Sequence, residues 1–485
     1  MNIRYLILIL LAMTAIITPS NAQEVNYVVL ARTDVIENAE WNRVATTLAN
    51  KHRAEIIRFA EKPEEALPRL KQIRPRYVAI VDLPKNIGVE YVQNVNRMAR
   101  NVDDDIYVDF MWGIITGYDA EAAIRMVDNA TEPLVIKSGL ATITETKSAK
   151  WFDRYAWIED HERGVWGEKT SADKEPKKYN IEPGEILKKF TELYAEYDPD
   201  LIITASHATE NNLEMPYSLG NIKAENGHLY ADFLSGHKPL EESGKRRVYL
   251  PIGNCLIGNV NNTRNSMAIA WMNSANAATF VGYVVPTWYG RNGWGGLKYF
   301  LTHPGRYTLA EAFYLNLQDM MYQMNEWNDK LHSLHIPFYQ SQEFMYKAGK
   351  ELKNIGITQP TKDILGFLHD RDVVAFYGDP AWNVRLQEIK DEKDFSVSSK
   401  IRKNQCIITV KTKKNFSLER MQGDHFKEEH VLDLPFSYIF PERLKNPRLA
   451  EGQKWKAALA EDFILIYAPK FESNKTYKIV LDIDK

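Results

Sequence analysis

Cysteine is nearly absent from this chain: Cys255 and Cys406 are the only two in 485 residues. That is too few for the disulfide scaffold by which small exported domains make up for a thin core. The two could pair with each other, although they fall in stretches of different sequence character. No basic block is present either, and 61 Lys and Arg against 64 Asp and Glu leave a formal net charge of only −3. Nothing in that balance points to nucleic acid or to an anionic membrane surface. Beyond the N-terminus no stretch approaches the roughly 20 apolar residues of a membrane span, so none is expected in the mature chain. No internal repeat or low-complexity tract stands out. No His-Glu-x-x-His motif accompanies His228, His237, His303, His332 and His335, of which only His332 and His335 lie three apart. A zinc hydrolase needs three or four converging ligands, and no metal site is assigned.

At the N-terminus, Arg4 precedes an apolar run from Tyr5 to Ile17, and Ser20 and Ala22 supply the small residues that signal peptidase accepts. Residues 1–22 therefore read as a cleavable signal peptide, which makes the protein secreted, periplasmic or held at the cell surface. The remaining chain is long for one hydrophobic core. Its 45% apolar content is enough to fill several.

Short β-type runs alternate with helical periods from the mature N-terminus onward. Val25 to Leu30 reads as a strand, Trp41 to Ala49 as a helix, Ile56 to Phe59 and Tyr77 to Val81 as strands, and a helix carries Tyr91, Val95 and Met98 before the acidic stretch Asp103 to Asp109. Such alternation predicts a parallel sheet covered by helices. Between Trp151 and Asn180 the chain turns polar and charged and reads as a surface loop or boundary. The βα pattern then resumes: a helix through Ile186, Phe190 and Tyr194 meets the breaker Asp198-Pro199-Asp200, and strands follow at Leu201 to Ala205, Val248 to Ile252 and Thr279 to Val285. Thr308 and Glu311 form a capping box ahead of a further helix. After Asp379-Pro380, which reads as a turn, short alternating runs take over at Gln405 to Val410, Phe463 to Tyr467 and Tyr477 to Leu481. The expected layout is an α/β region in two subdomains, 23–150 and 151–390, followed by a small all-β sandwich over 391–485.

Chemistry is expected where strands end, because loops beyond the carboxyl ends of parallel strands collect ligands and catalytic groups. His207 lies just past the strand at 201–205, and Cys255 just past the strand at 248–252. Neighbouring parallel strands would bring both side chains out on one edge. A thiolate nucleophile beside an imidazole that can later protonate a leaving amine is the equipment of acyl transfer. The backbone N–H of Cys255 and the one just after His207 are the natural oxyanion donors, and Gly253 permits a close backbone approach. A lone buried thiol and a surface histidine remain the simpler account of each residue taken singly. Trp288 and Tyr289, just past the third strand, could wall a substrate pocket or merely pack.

An apolar strand followed by His, then a second apolar strand followed by Cys, resembles the clan of cysteine peptidases that contains caspases, legumains and gingipains. The resemblance is greatest to gingipains, on the N-terminal α/β subdomain, the His and Cys strands, the segment Val373 to Pro380 that looks like the end of that family's catalytic domain, and an immunoglobulin-like C-terminal domain. It implies a caspase-like fold and an exported endopeptidase that cleaves protein or peptide substrates without a cofactor. His207 would be the general base and acid, Cys255 the nucleophile, and the backbones of Ala208 and Cys255 the oxyanion donors. The family usually carries Gly directly after the His. Ala208 departs from that, and a positive φ there would be disfavoured, so the alternative is a catalytically silent relative that binds peptide or surface polymer. Asp105, Tyr107 and Asp109 resemble an acidic, aromatic stretch from which a carboxylate reaches the cleft, with a solvated acidic turn as the alternative. Structural calcium would also fit the resemblance.

Overall fold

The computed structural model describes residues 26–143, 149–389, 393–424 and 432–484. Residues 1–22, read above as a signal peptide, lie outside them. Among the described residues no helix is long and apolar enough to cross a membrane.

A mixed sheet of twelve strands runs through the α/β region. Its strands in chain order are β1 (Tyr27–Arg32), β2 (Glu55–Phe59), β3 (Tyr77–Val81), β4 (Met111–Ile115), β5 (Ser138–Ala141), β6 (Arg154–Ile158), β7 (Val165–Lys169), β8 (Lys177–Asn180), β9 (Leu201–Ile203), β10 (Arg247–Leu250), β11 (Ala277–Tyr283) and β12 (Val374–Tyr377). Across the sheet the order is β2-β1-β3-β4-β12-β11-β10-β9-β5-β6-β7-β8. The first five of these neighbours pair in parallel, as do the five from β11 to β6. β12 and β11 meet antiparallel, with Phe280 opposite Tyr377 and Tyr283 opposite Val374. The two parallel blocks therefore point in opposite directions. One consequence is that the amino end of β4 lies along the same edge as the carboxyl ends of β9 and β10. Where β4 pairs with β12 the backbones touch: a Cβ on Gly113 would sit 2.1 Å from the Gly378 carbonyl oxygen.

Helices form where the periodicity places them. Ala39–His52 starts at Asn38, whose side chain accepts from the backbone N–H of Glu40 and Trp41, and it buries Trp41, Val44 and Leu48. Ala120–Asn129 starts at Asp119, which caps Ala122 N. Leu309–Trp327 carries the expected capping box, Glu311 N to Thr308 Oγ1 at 3.2 Å and Thr308 N to Glu311 Oε2 at 2.7 Å.

Two stretches depart from the sequence reading. Residues 151–180, expected as a polar loop, supply β6, β7 and β8, the far edge of the sheet. Every residue of β8 is exposed, so its lysines read as loop composition although charged residues are how an edge strand is protected from pairing with another chain. Trp166 stacks on Tyr179 across this edge with ring centroids 4.6 Å apart, and Lys178 pairs with the buried Glu159 at 2.7 Å. Between β9 and β10 the chain also builds a separate four-stranded antiparallel sheet from Asn212–Glu214, Asn221–Glu225, His228–Phe233 and Gly236–Pro239.

The C-terminal region is all β. Phe395–Arg402, Gln405–Thr412, Thr476–Asp482 and Arg448–Leu449 form one antiparallel sheet, and Phe436–Ile439, Phe463–Tyr467 and Lys456–Leu459 form another. Alternation along Phe463–Tyr467 joins the two regions. Ile464 and Ile466 face the sandwich core with Ile408 and Ile479, while Phe463 and Leu465 belong to the α/β core. Phe463 meets Tyr107 edge-on at 5.1 Å, and Tyr467 donates to Asp319 at 2.8 Å.

Asp379, in the Gly378-Asp379-Pro380 turn, is 1% exposed. Its carboxylate accepts from Tyr27 OH at 2.9 Å and Lys51 Nζ at 2.9 Å, and it lies 2.6 Å from His52 Nε2. Burial alone would raise its pKa, but His52 and Lys51 outweigh burial and hold it at about 2. A carboxyl depressed on folding contributes stability that is complete above the ordinary carboxylate range and lost as pH falls through its folded value. Asp379→Asn leaves Lys51 without its counter-charge and is expected to cost about 3–5 kcal/mol at pH 7. Urea unfolding of the two proteins should show that difference shrinking as the pH is taken down toward about 2.

Candidate active site

The register between β9 and β10 sets the geometry: Leu201 lies opposite Val248, Ile202 opposite Tyr249 and Ile203 opposite Leu250. Because the two strands are parallel, the chain leaves both on the same edge, toward His207 from one and toward Cys255 from the other. Both residues line an open cleft of about 1250 Å³ of empty volume, counting its mouth. Asp160 from beyond β6, Glu214 to Tyr217 from the inserted sheet, and Thr287 to Gly290 with Trp294 from beyond β11 complete the lining. Cys255 is a free, half-buried thiol, and Cys406 is a free thiol buried elsewhere, so the two do not pair.

Close packing brings the two loops together. A Cβ on Gly253 would lie 2.8 Å from the Ala205 Cβ, nearer than side chains pack, so Gly is needed there for the Cys255 loop to lie against the end of β9. His207 is exposed, and its loop is pinned to Glu214: Glu214 N donates to the His207 carbonyl at 3.0 Å, and Ser206 Oγ donates to the Glu214 carbonyl at 2.6 Å. The Thr287 backbone N–H points at Cys255 Sγ from 3.3 Å.

Two backbone donors are open. Thr209 N and Leu256 N are engaged, with the carbonyls of Asn212 at 2.8 Å and Val285 at 3.1 Å. The N–H groups of Ala208 and Cys255 donate to no other group among the described residues. Ala208 bridges Leu213 in antiparallel fashion and is not among the residues with positive φ, so its Cβ costs no backbone strain. Leu256, directly after the thiol, does turn left-handed, at φ +61°, as does Tyr217 of the cleft lining at φ +54°. A bulky residue in that region is rare and marks a locally over-determined backbone.

Trp288 and Tyr289 both line the cleft, in different ways. Trp288 is 38% exposed and stands edge-on to the buried His369 at 5.9 Å. Tyr289 is buried, and its hydroxyl donates to Asp363 Oδ1 at 2.6 Å. Burial, then Asp363, pushes its pKa up.

Asp109 lies apart from this cleft. It lines a smaller pocket with Asp103, Asp105, Arg74, Arg443 and Asp462, where the sandwich meets the α/β region. Burial first, then Asp103, raises its carboxyl to about 8. Ligand oxygens of Asp103, Asp105 and Asp109 lie within 4.8 Å of one another.

The sequence reading missed Asp160, Tyr217, Trp294, Asn254 and Thr287. Only Asn254 carried a local signal, as a polar residue placed between an apolar strand and the cysteine.

These observations define an α/β protein with a thiol and an imidazole sharing one strand-end cleft. No family model matches the sequence, and a search of curated proteins finds no match. Among solved structures, the Arg-specific cysteine proteinase gingipain R is similar over 96% of this chain and 94% of its own, with 10% identity and a TM-score of 0.42. A complex of the pro- and mature domains of RgpB from Porphyromonas gingivalis is similar over 95% and 93%, with 10% identity and a TM-score of 0.40. A structure described as a protease is similar over 80% and 85%, with 9% identity and a TM-score of 0.40.

Gly253→Ala is expected to force the Ala205 and Cys255 loops apart. Overpacking of this kind costs about 1–3 kcal/mol. Thermal unfolding should show that loss, and alkylation of Cys255 should change with it while Cys406 stays unreactive until the chain unfolds.

Proposed function

We propose that the protein is an exported cysteine endopeptidase that hydrolyses peptide bonds through a thioester on Cys255, with His207 as general acid and base. The observation that supports this most is the meeting of the Cys255 thiol, the His207 imidazole and the open N–H groups of Ala208 and Cys255 at one cleft. In the first half-reaction His207 takes the Cys255 thiol proton as the sulfur attacks the scissile carbonyl carbon, and charge develops on the carbonyl oxygen beside the two backbone donors. The C–N bond then breaks, and His207 supplies the proton that the departing amine needs. In the second, water adds to the thioester with His207 accepting its proton, the C–S bond breaks, and the acid leaves with the thiol restored. Export follows from the apolar N-terminal run and its small-residue ending.

Charge in the cleft bears on the side chain accepted. Among the described residues, Asp160, which has His161 Nε2 3.9 Å from its Oδ1, and Glu214 are the carboxylates that line it, and no Lys or Arg does. Tyr217 and Trp288 add exposed aromatic surface, at 51% and 38%, which favours a cation over a ring face. The preferred residue at the cleavage site is therefore basic.

Acyloxymethyl ketone probes carrying Arg, Lys, Asp or Asn test this on the mature protein. The Arg and Lys probes should label wild type and should label neither Cys255→Ala nor His207→Ala. Asp160→Asn should slow labelling by the basic probes about tenfold or more, since a hydrogen bond to a charged group is worth about 1.5–3 kcal/mol, and should leave the Asn probe unchanged. Labelling is run with and without calcium, because Asp103, Asp105 and Asp109 offer converging oxygens of the kind calcium takes. A folded wild type that no probe labels would overturn the peptidase reading in favour of a silent, peptide-binding relative.

A further inference from the structure

Directly before the thiol stands Asn254, a fully buried polar residue to which the catalytic steps above assign no part. Its side chain has every hydrogen-bonding group engaged. Thr204 Oγ1 donates to Asn254 Oδ1 at 2.6 Å. Asn254 Nδ2 donates to the Ser206 carbonyl at 2.7 Å and to Ser206 Oγ at 3.2 Å. A hydroxyl has a single hydrogen to give, and that of Thr204 goes to Asn254, so Tyr249 OH is the donor in its 2.9 Å contact with Thr204 Oγ1. The result is a directed chain, Tyr249 to Thr204 to Asn254 to Ser206. It crosses from β10 to the end of β9, back to the Cys255 loop, and over to the residue that precedes His207. Thr204 and Tyr249 are as deeply buried as Asn254, and no apolar side chain could satisfy the Ser206 carbonyl from this position.

The backbone of Asn254 extends the tie to the third strand end. Thr287 Oγ1 donates to the Asn254 carbonyl at 3.1 Å, and the N–H of the same Thr287 points at Cys255 Sγ from 3.3 Å. One residue thus links the segment before the imidazole, the segment before the thiol and the segment that directs a donor at the sulfur.

We infer that Asn254 is a positioning residue that holds His207 and Cys255 in working register, through the hydrogen bonds of its side-chain amide to Thr204 and Ser206. The inference rests on the peptidase reading of the His207 and Cys255 pair. Asn254 touches no reacting atom in this scheme; it sets where two such groups stand. A buried asparagine with only a core-filling role would affect stability without affecting how the thiol senses the imidazole, and that difference is measurable.

The test follows alkylation of Cys255 by iodoacetamide in the mature protein across about pH 5 to 9, a range that contains the span in which a histidine side chain ordinarily changes charge, with peptide mass spectrometry separating Cys255 from Cys406. Wild type is compared with His207→Ala, Asn254→Ala, Thr204→Val and Thr204→Ser. Asn254→Ala and Thr204→Val should take on the pH profile of His207→Ala. Their labelling by the Arg probe should fall about 10²-fold, the loss expected of a reacting group misplaced by about 1 Å, with the probe concentration at half-maximal rate unchanged. Thr204→Ser keeps the hydroxyl and should behave as wild type. Should Asn254→Ala fail to fold, the two Thr204 variants decide the matter alone. Retention of the wild-type profile and labelling rate by the folded variants overturns the inference, as does a Thr204→Ser protein that behaves like Thr204→Val. A wild-type profile identical to that of His207→Ala overturns it too, since there would be no coupling to position. Alkylation needs no turnover, so coupling present in wild type without labelling by any probe would remove the peptidase reading while leaving the Asn254 comparison decisive.

Discussion

The parallel register of β9 on β10 is the constraint on which the cleft depends. A one-residue slip would turn every side chain of a strand to the opposite face, and here it would also shift the segment bearing His207 past the one bearing Cys255. Such a slip is resisted because β9, β10 and β11 are buried along their whole lengths, the pattern of strands covered on both faces. The pair thus grows from the part of the molecule least able to move, and its walls come from loops and from the inserted sheet. Reversal of direction between β11 and β12 sends the carboxyl ends of the other parallel block to the opposite edge. The cleft consequently gathers its strand-end groups from one block only.

Buried charge fixes how the remaining pieces sit. Arg291 and Asp319, both essentially unexposed, pair at 2.6 Å, and Tyr467 of the sandwich donates to the same carboxylate. Asp372 is held between Arg100 and Arg371, and although burial alone would raise its pKa, the two guanidinium groups outweigh burial and lower it. Buried pairs of this kind are weak evidence for net stability, because desolvation offsets much of their attraction, yet removal of one partner is costly. Their contribution here is to make particular dockings of helix, turn and sandwich the ones in which no charge is left alone. The apolar contribution comes from strands such as Phe463–Tyr467, which divides its faces between two cores. A fully buried side chain of this size is worth about 1.5–3 kcal/mol.

The two thiols illustrate how environment sorts one chemical group into two roles. Cys406 is enclosed by the sandwich core, where burial, with Glu442 adding to it, pushes its thiol up to about 11. A thiol of that kind is inert at neutral pH, because the thiolate is the nucleophile. Cys255 sits half-buried on an open cleft, with a backbone N–H aimed at its sulfur. Sequence offers no contrast between them beyond the strand that each follows or occupies.

What the sequence determined by itself was whatever depends on neighbours along the chain. The βα alternation, the strands leading to His207 and Cys255, the helix through Trp41 and Ala49 and the Thr308–Glu311 capping box all follow from side-chain period and local hydrogen bonding, which act within a few residues. What only the tertiary structure decided was everything set by distance across the chain. The charged stretch 151–180 became an edge of the sheet because its strands found partners, and the segment between β9 and β10 folded into a sheet of its own. Asp379 was a turn in sequence and became a buried anchor for Lys51, more than 300 positions away. Asp160, Tyr217 and Trp294 entered the cleft, and Asp109 took a place beside the sandwich. Asn254 and Thr287 gained their roles only when three strand ends met. Composition and period carry no information on which strand lies beside which, and that choice rests on burial and pairing summed over the whole fold.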